Sequence, residues 1–217
     1  MKVTLVALTQ PFVESNGNRL NAEEFISYCA RVSNPTNQLN TETAPRLLAY
    51  CIRNGHWSIF ETVSMTVEIE TSRAIAAQIL RHRSFTFQEF SQRYSEALDL
   101  EPIELRSQDM KNRQGSGNLI TDQRLNKMAS DQAKEALKAY RELLINGVSR
   151  ETARMVLPLC VSTRMYMTGS ARSWIHYLDQ RCSPGTQAEH REVANKIRDI
   201  FDDQFPSISA ALKEVKP

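Results

Sequence analysis

The most constraining feature of this sequence is a change of hydrophobic period between residues 63 and 80. Apolar and polar residues alternate from Val63 to Glu70, and this period of two is typical of a half-buried strand. From Arg73 the segment RAIAAQILRHR is rich in helix formers, with apolar residues four apart. A strand that runs directly into an amphipathic helix predicts helices packed on a sheet.

A concentration of cations lies at the end of this helix. The predicted helix would place Gln78, Arg81 and His82 on one face. The stretch QILRHRSFTFQEFSQRYS, residues 78–95, combines three arginines and a histidine with hydroxyl and aromatic side chains. Guanidinium forks in such surroundings predict a site for a phosphate or carboxylate that carries a flat ring. The alternative is a solvated basic helix end that interacts favourably with the helix dipole.

Length and composition narrow the class of protein. At 217 residues, the chain is expected to form a single domain over residues 1–217, with a helical extension. The 27 basic and 25 acidic residues nearly balance, which argues against a bulk polyanion binder. Its four cysteines are scattered without a C-x-x-C pair, and no apolar run approaches the ~20 residues of a membrane span. We therefore expect a cytoplasmic protein with reduced thiols and no membrane partner.

A second unusual segment is GHWSIFE, residues 55–61. Gly55 is predicted to end a helix that starts near Thr43, much as Asn21 and Glu24 form a capping box for an earlier helix. His56 and Ser58 then stand in a loop, where functional groups often lie. The alternative is that His56 only caps the preceding helix.

The second half of the chain adds more arginines. Residues 109–118 are predicted to form a mobile surface loop, followed by a long helix capped by Thr121 and then by a strand over residues 161–168. A helix over residues 170–179 would carry Arg172 and His176 on one face. Further arginines near predicted buried segments are Arg154, Arg164 and Arg181. For Arg164, a snorkelling side chain or an ion pair is the alternative to a functional role.

Several common sites are not indicated. The sequence contains no GxxxxGK[ST], no GxGxxG and no G-x-S-x-G, so neither a P-loop, a Rossmann nucleotide site nor an α/β-hydrolase nucleophile is predicted. The four histidines form no ligand pair with an acid at helical spacing, and no metal site is expected. What remains is an arginine-rich anion site.

The motifs as a set resemble the flavin-dependent thymidylate synthases. Arg81-His82-Arg83, seven residues and then Ser91 is that family's signature, and GHWSIFE resembles its upstream motif. ETARMVLP at 151–158, SARSWIHYLDQR at 170–181 and TQAE at 186–189 resemble later family segments in the same order. The resemblance thus covers nearly the whole chain.

The resemblance implies an activity. Members of the family convert dUMP to dTMP with a methylene group from 5,10-methylenetetrahydrofolate and a hydride from FAD that NADPH has reduced, without a cysteine nucleophile. Arg181 is the implied catalytic residue, because a guanidinium near the uracil ring would stabilise its anion. The family is homotetrameric with shared active sites, and the implied fold is α+β, a mainly antiparallel sheet flanked by helices with a helical extension.

The resemblance also implies binding residues. Those for dUMP are Gln78, Arg81, Glu89, Ser91, Gln92, Arg93, Arg154 and Arg181. Those for FAD are Ser58, Arg81, His82, Arg83, Glu89, Ser170, Arg172 and His176, and His56 is a further candidate contact to flavin or folate. The chain departs from many relatives at Gln92, Ser170, His176 and Gly185. The competing hypothesis, a single-stranded nucleic-acid binder with stacking aromatics, is disfavoured by the balanced charge, and no nucleic-acid partner is expected.

Overall fold

The protein folds into an antiparallel sheet with helices packed on it. The structure, a computed structural model, describes residues 1–97 and 99–215. In chain order the strands are β1 Lys2–Leu8, β2 Glu14–Ser15, β3 Asn18–Arg19, β4 Ser64–Ser72, β5 Thr86–Glu89, β6 Arg106–Gln108, β7 Ser116–Leu119 and β8 Ser162–Ser170. The helices are α1 Ala22–Ala30, α2 Ala44–Arg53, α3 Arg73–Ile79, α4 Gln123–Ile145, α5 Arg150–Ala153, α6 Ala171–Arg181, α7 Ala188–Gln204 and α8 Pro206–Val215. The predicted α+β class is confirmed.

The main sheet has the strand order β1-β4-β8-β5, and each pair of neighbours is antiparallel. Its centre is the β4–β8 ladder, in which Val67 lies opposite Met167 and Ile69 opposite Met165. These four side chains are fully buried. Because strand residues two apart share a face, the alternation seen in the sequence puts one whole face of β4 in the core.

Helices pack on that face of the sheet and are joined to it by a hydrogen bond. Trp174 of α6 is fully buried and donates from its indole nitrogen to the carbonyl of Met65, 3.1 Å away. The main core also includes buried residues of α3, α7 and α8. A smaller cluster forms around Leu137 and Tyr140 of α4. Among the described residues, no helix combines the length and apolar character that crossing a membrane requires.

The local predictions have mixed outcomes. The capping box of Asn21 and Glu24 is confirmed by two hydrogen bonds of 2.8 Å. Gly55, with φ of 69°, ends α2 as predicted, and the His56 N–H donates to the Cys51 carbonyl in a Schellman arrangement. The cap of α4 is Asp122 rather than Thr121, since the Asp122 carboxylate accepts the first helical N–H groups.

One prediction about a longer segment is wrong, and another is only partly right. The helix after β4 ends at Ile79. The N–H groups of Arg81 and His82 then donate to carbonyls three residues back, as in a tighter turn. They therefore do not share a helix face with Gln78. Residues 109–115 form a loop as predicted, but residues 116–118 belong to β7, which pairs with β6 as a hairpin. Short, polar strands such as these lack the apolar alternation by which a strand is recognised.

Candidate active site

The turn after α3 is anchored by Phe85. Its ring packs edge-on against Trp174, with centroids 4.6 Å apart, and lies over Gly169 of β8. A Cβ at position 169 would come within 2.5 Å of the ring, so only glycine permits this approach. The aromatic contact holds residues 81–84 between the end of α3 and α6. This is how the RHR motif reaches the residues of α6.

Within this turn, His82 meets the predicted catalytic arginine. The Nε of Arg181 donates to Nε2 of His82 at 2.9 Å. Since a guanidinium can only donate, His82 accepts through Nε2 and is neutral. Burial, then the positive charge of Arg181 and then His176 lower the pKa of His82 from 6.5 to about 4. A neutral ring thus holds Arg181 without cancelling its charge, which suits an anion site.

Gln78 belongs to the same group of contacts. Its Oε1 lies 3.2 Å from Nδ1 of His190, and its Nε2 donates to Oε1 of Gln187. The other ring nitrogen of His190 is 3.1 Å from the hydroxyl of Tyr177. The ring of Tyr177 in turn packs edge-on against His82, with centroids 4.9 Å apart. The structure therefore brings Gln78, His82 and Arg181 together, although they are up to about a hundred residues apart in sequence.

Arg93 and Arg154 form a second group. Arg93 bonds the carboxylate of Glu151 through Nε at 3.0 Å and through an Nη at 2.8 Å. Arg154 donates to the backbone carbonyl of the same glutamate at 3.2 Å. The side chains of Arg93 and Glu151 are 63% and 59% exposed. Two predicted dUMP-binding arginines thus adjoin Glu151, Arg93 at its carboxylate and Arg154 at its backbone carbonyl.

Ser91 and Gln92 lie in the turn between β5 and this group. The carbonyl of Ser91 accepts from the N–H groups of Tyr94 and Ser95. Gln92 is only 7% exposed, and its Nε2 is buried without a hydrogen-bond partner in the part of the chain that the structure describes. A buried amide without a partner is costly. This unpaired donor belongs to one of the predicted dUMP-binding residues.

Glu89, predicted to contact both dUMP and FAD, is held from two sides. Its Oε1 accepts from Arg73 at the start of α3 and from the Thr163 hydroxyl at 2.9 Å. These bonds fix the carboxylate at the edge of the sheet, where β5 pairs with β8. Arg73 and Thr163 drew no attention in the sequence, because neither belongs to a polar cluster there.

The remaining predicted FAD residues gather around α6. Arg172 donates to Glu61 at 3.1 Å, which links α6 to the 3₁₀ helix Trp57–Glu61 that carries Ser58. Ser170 caps α6 through its hydroxyl, which accepts from the N–H of Ser173. Arg172 and His176 line a cavity of about 680 Å³ together with Trp57 and residues of α7 and α8. The predicted shared face of Arg172 and His176 is confirmed.

Three further predicted residues, Arg81, Arg83 and His56, are exposed. The rings of His56 and Tyr50 pack edge-on, with centroids 5.8 Å apart. Exposed guanidinium groups beside a half-buried cluster are available to a phosphate-bearing ligand.

Comparison with known proteins gives this geometry a context. The family model described as "Thymidylate synthase complementing protein" matches residues 17–207. A flavin-dependent thymidylate synthase of Synechocystis sp. is 51% identical over 218 residues, covering 98% of this chain and 100% of the relative. A probable flavin-dependent thymidylate synthase of Paramecium bursaria Chlorella virus 1 is 49% identical, covering 98% and 99%.

The chain belongs to the flavin-dependent thymidylate synthase family. Its fold is also shared with a solved structure, a UMP/dUMP methylase, PolB, from Streptomyces cacaoi bound with 5-Br dUMP. The two chains superpose with a TM-score of 0.82 at 25% identity, covering 98% of this chain and 94% of the other.

The thiols of this family member are poor nucleophile candidates. Cys29, Cys51, Cys160 and Cys182 are free, and burial raises the pKa of each thiol above its ordinary value. Among residues 1–97 and 99–215, no three His, Cys, Asp or Glu side chains come together as a metal-binding group.

Sequence reasoning missed several residues that hold the family motifs in place. Tyr177 and His190 are fully buried against Gln78 and His82, while Glu61 and Glu151 are the partners of predicted arginines. A signal for His190 was available. It falls on the apolar face of α7 with Val193 and Ile197, and a histidine in such a row is a buried polar group that requires partners.

Proposed function

We propose that this protein catalyses the reductive methylation of dUMP to dTMP, as a methyltransferase of the flavin-dependent type. In this reaction 5,10-methylenetetrahydrofolate donates a methylene group, which becomes a methyl group when a hydride is added. The Arg181–His82 pair carries the proposal, because it presents a held guanidinium in a chain matched over nearly its whole length by thymidylate synthases. The structural neighbour solved with 5-Br dUMP supports the same substrate class.

Arg181 is the proposed catalytic residue. A guanidinium has five N–H donors in a fixed fork, and the bond to His82 uses one of them. The charge of Arg181 would stabilise the anionic uracil ring, whose C5 must be electron-rich to attack the methylene carbon. Because His82 is neutral, it orients the guanidinium and does not neutralise it.

In this proposal, dUMP contacts the two groups described above, which are Gln78 with Arg181 and Arg93 with Arg154. The remaining proposed contacts lie between Gln78 and Arg93 in sequence and are Arg81, Glu89, Ser91 and Gln92. The unpaired buried amide of Gln92 supports a ligand at this place, since a nucleotide oxygen would accept its N–H. Arginine forks bind phosphate in bidentate fashion, which suits the nucleotide's charge.

The residues of the chain also fit FAD, which supplies the hydride when bound and is reduced by NADPH in this proposal. A flavin dinucleotide needs cations for its diphosphate and apolar surface for its rings. Arg172 at a cavity that Trp57 also lines offers both. Arg81 and Arg83 are exposed in the turn whose Ser84 lines the same cavity. The remaining proposed contacts to FAD are Ser58, His82, Glu89, Ser170 and His176, and His56 is a further candidate for flavin or folate.

We also propose that residues 1–217 act as one domain in a homotetramer with shared sites. Tyr94, Met155 and Leu159 are 85%, 80% and 72% exposed beside Arg93 and Arg154. Large apolar side chains next to predicted substrate residues support a partner subunit that covers them. The free thiols support a reducing compartment, the cytoplasm.

An absorbance spectrum combined with an activity assay tests the proposal. Purified protein should be yellow or should take up FAD. It should oxidise NADPH faster when dUMP is present, and it should form dTMP only with methylenetetrahydrofolate. A protein that remains colourless after incubation with FAD, or that forms no dTMP when loaded, would contradict the proposal. Sedimentation analysis would test the tetramer separately.

A further inference from the structure

Two fully buried polar side chains adjoin the site without any role in the reaction proposed so far. Tyr177 lies on α6 and His190 on α7, and neither has exposed surface. On α7, His190 lies in the core-facing row of Val193 and Ile197. An apolar residue there would pack without needing partners, whereas a buried imidazole needs one for each ring nitrogen. Packing alone therefore does not explain why a histidine occupies position 190.

We propose that His190 and Tyr177 are positioning residues that fix the orientation of the Gln78 side-chain amide toward the nucleotide substrate. The proposal rests on the function above, in which Gln78 contacts dUMP. It explains how the chain determines whether the substrate meets the amide oxygen or the amide nitrogen of Gln78.

The hydrogen bonds form a continuous row from α6 through α7 to α3. The Tyr177 hydroxyl lies 3.1 Å from Nε2 of His190, Nδ1 of His190 lies 3.2 Å from Oε1 of Gln78, and Nε2 of Gln78 donates to Gln187. An amide oxygen can only accept, so Nδ1 of His190 carries the proton. A neutral imidazole then has a lone pair at Nε2, and the Tyr177 hydroxyl donates to it. All three bonds therefore run in one direction.

The surroundings keep this direction constant. Burial, then the charge of Arg181 and then His82 lower the pKa of His190 from 6.5 to about 4, so the ring is neutral near pH 7. Burial also raises the pKa of Tyr177 above its usual range, so its hydroxyl keeps its proton. With one donor and one acceptor on His190, the row cannot reverse unless Gln78 exchanges its oxygen and nitrogen.

This constraint determines what Gln78 offers to a ligand. A glutamine amide can rotate by half a turn and present either an acceptor or a donor. Here the oxygen is engaged by His190, and the nitrogen carries two hydrogens, of which the bond to Gln187 uses one. Gln78 is thus set to donate to an oxygen of the nucleotide. Without the row, the amide would populate both orientations, and part of the binding free energy would be spent on selecting one.

A conservative variant isolates the hydrogen bonds from the packing. Tyr177 also contacts His82, Phe85 and Trp174 through its ring. Y177F retains these ring contacts and removes only the hydroxyl at the start of the row. H190L removes the middle of the row, so that the Tyr177 hydroxyl and the Gln78 oxygen both lose His190 as a partner. H190Q keeps one donor and one acceptor in a side chain of similar length.

The test measures dUMP binding to FAD-loaded enzyme by titration calorimetry, together with KM and kcat. H190L should weaken dUMP binding by about 10-fold, the effect of losing one buried hydrogen bond, while flavin content and kcat stay within about threefold. Y177F should weaken binding by about threefold, and H190Q should recover most of the loss. Because Tyr177 acts through His190, adding Y177F to H190L should cause no further loss of affinity.

V193A is the matched control, since Val193 is fully buried one turn along α7 and lies outside the row. It should lower the melting temperature and leave the Kd for dUMP unchanged. If V193A weakened dUMP binding as much as H190L, or if Y177F and H190L were additive, the proposal would be wrong. Should H190L fail to fold, Y177F and H190Q carry the test, and an unchanged Kd in Y177F would overturn it.

The outcome for the wild type separates this inference from the proposed function. Wild-type protein that forms dTMP, combined with an H190L variant of unaltered dUMP affinity, would refute the positioning role alone. Wild-type protein that neither binds dUMP nor forms dTMP would refute the function on which the inference rests.

Discussion

Arg181 and Arg93 are both proposed to bind dUMP, yet their surroundings in the subunit are opposite. Arg181 is bonded to a neutral, half-buried histidine beside the fully buried Tyr177 and His190. Arg93 extends over the surface, pairs with exposed Glu151 and is followed by a tyrosine that is 85% exposed. Arg181 is oriented by side chains of its own subunit, whereas Arg93 is available to a ligand or a partner subunit at the surface. Under the proposed function, one subunit would therefore pre-organise the end of the site where charge develops, and substrate and a partner subunit would complete the other end.

The largest effect is expected for R181A. Loss of an electrostatic contact to the reacting ring should lower kcat for dTMP formation by about 10³-fold, roughly 4 kcal/mol. Flavin binding, measured by absorbance, should persist because other residues are proposed to hold the diphosphate. R181K is the control that retains charge without the fork. If R181A lost FAD but turned over normally once reloaded, the catalytic role of Arg181 would be wrong.

Acid should lower the free energy of unfolding through two histidines of the site, His82 and His190. His82 and His190 have pKa values lowered from 6.5 to about 4 in the folded protein, so between these values the unfolded state binds more protons. This stability is fully present above pH 6.5 and is lost as pH falls toward 4. The loss is about 3 kcal/mol for the fully buried His190 and smaller for the half-exposed His82, where solvent screens the charge. Urea unfolding at a series of pH values measures it, and H190Q should flatten the dependence. An equally steep loss in H190Q would contradict the assignment to His190.

At the exposed end, R93K tests geometry rather than charge. Lysine keeps the positive charge but cannot form a bidentate contact, so KM for dUMP should rise about 10-fold with little change in kcat. The matched control is R53K, because Arg53 is a similarly exposed arginine that pairs with Glu214 outside the proposed site. Equal effects of the two substitutions on KM would remove Arg93 from the substrate contacts.

The smallest effect is expected for the stability of E151Q. The Arg93–Glu151 pair is mostly exposed, and such pairs contribute less than about 1 kcal/mol. Thermal unfolding of E151Q should therefore match the wild type to within a few degrees. A large loss of stability would mean that this pair is as structural as the contacts of Arg181, and the contrast between the two ends would disappear.

Much of the fold follows from local patterns, whereas the members of the candidate site were predicted from the resemblance of the motifs to a family. The alternation around Val67 predicted the central strand, and the Asn21 capping box predicted a helix start. These features depend on neighbours within a few residues, where backbone geometry and side-chain period act directly. The end of α3 was predicted too late, because helix propensity does not show where packing of Phe85 turns the chain.

By itself, the sequence determined the residue types that the chemistry needs and the strands and helices that carry them. Only the tertiary structure decided their states. It made His82 neutral by burying it against Arg181, it bonded Gln78 to His190 and it left Arg93 at the surface. The physical reason is that pKa values and hydrogen-bond directions depend on burial and on charges brought from distant segments, and no local pattern encodes those distances.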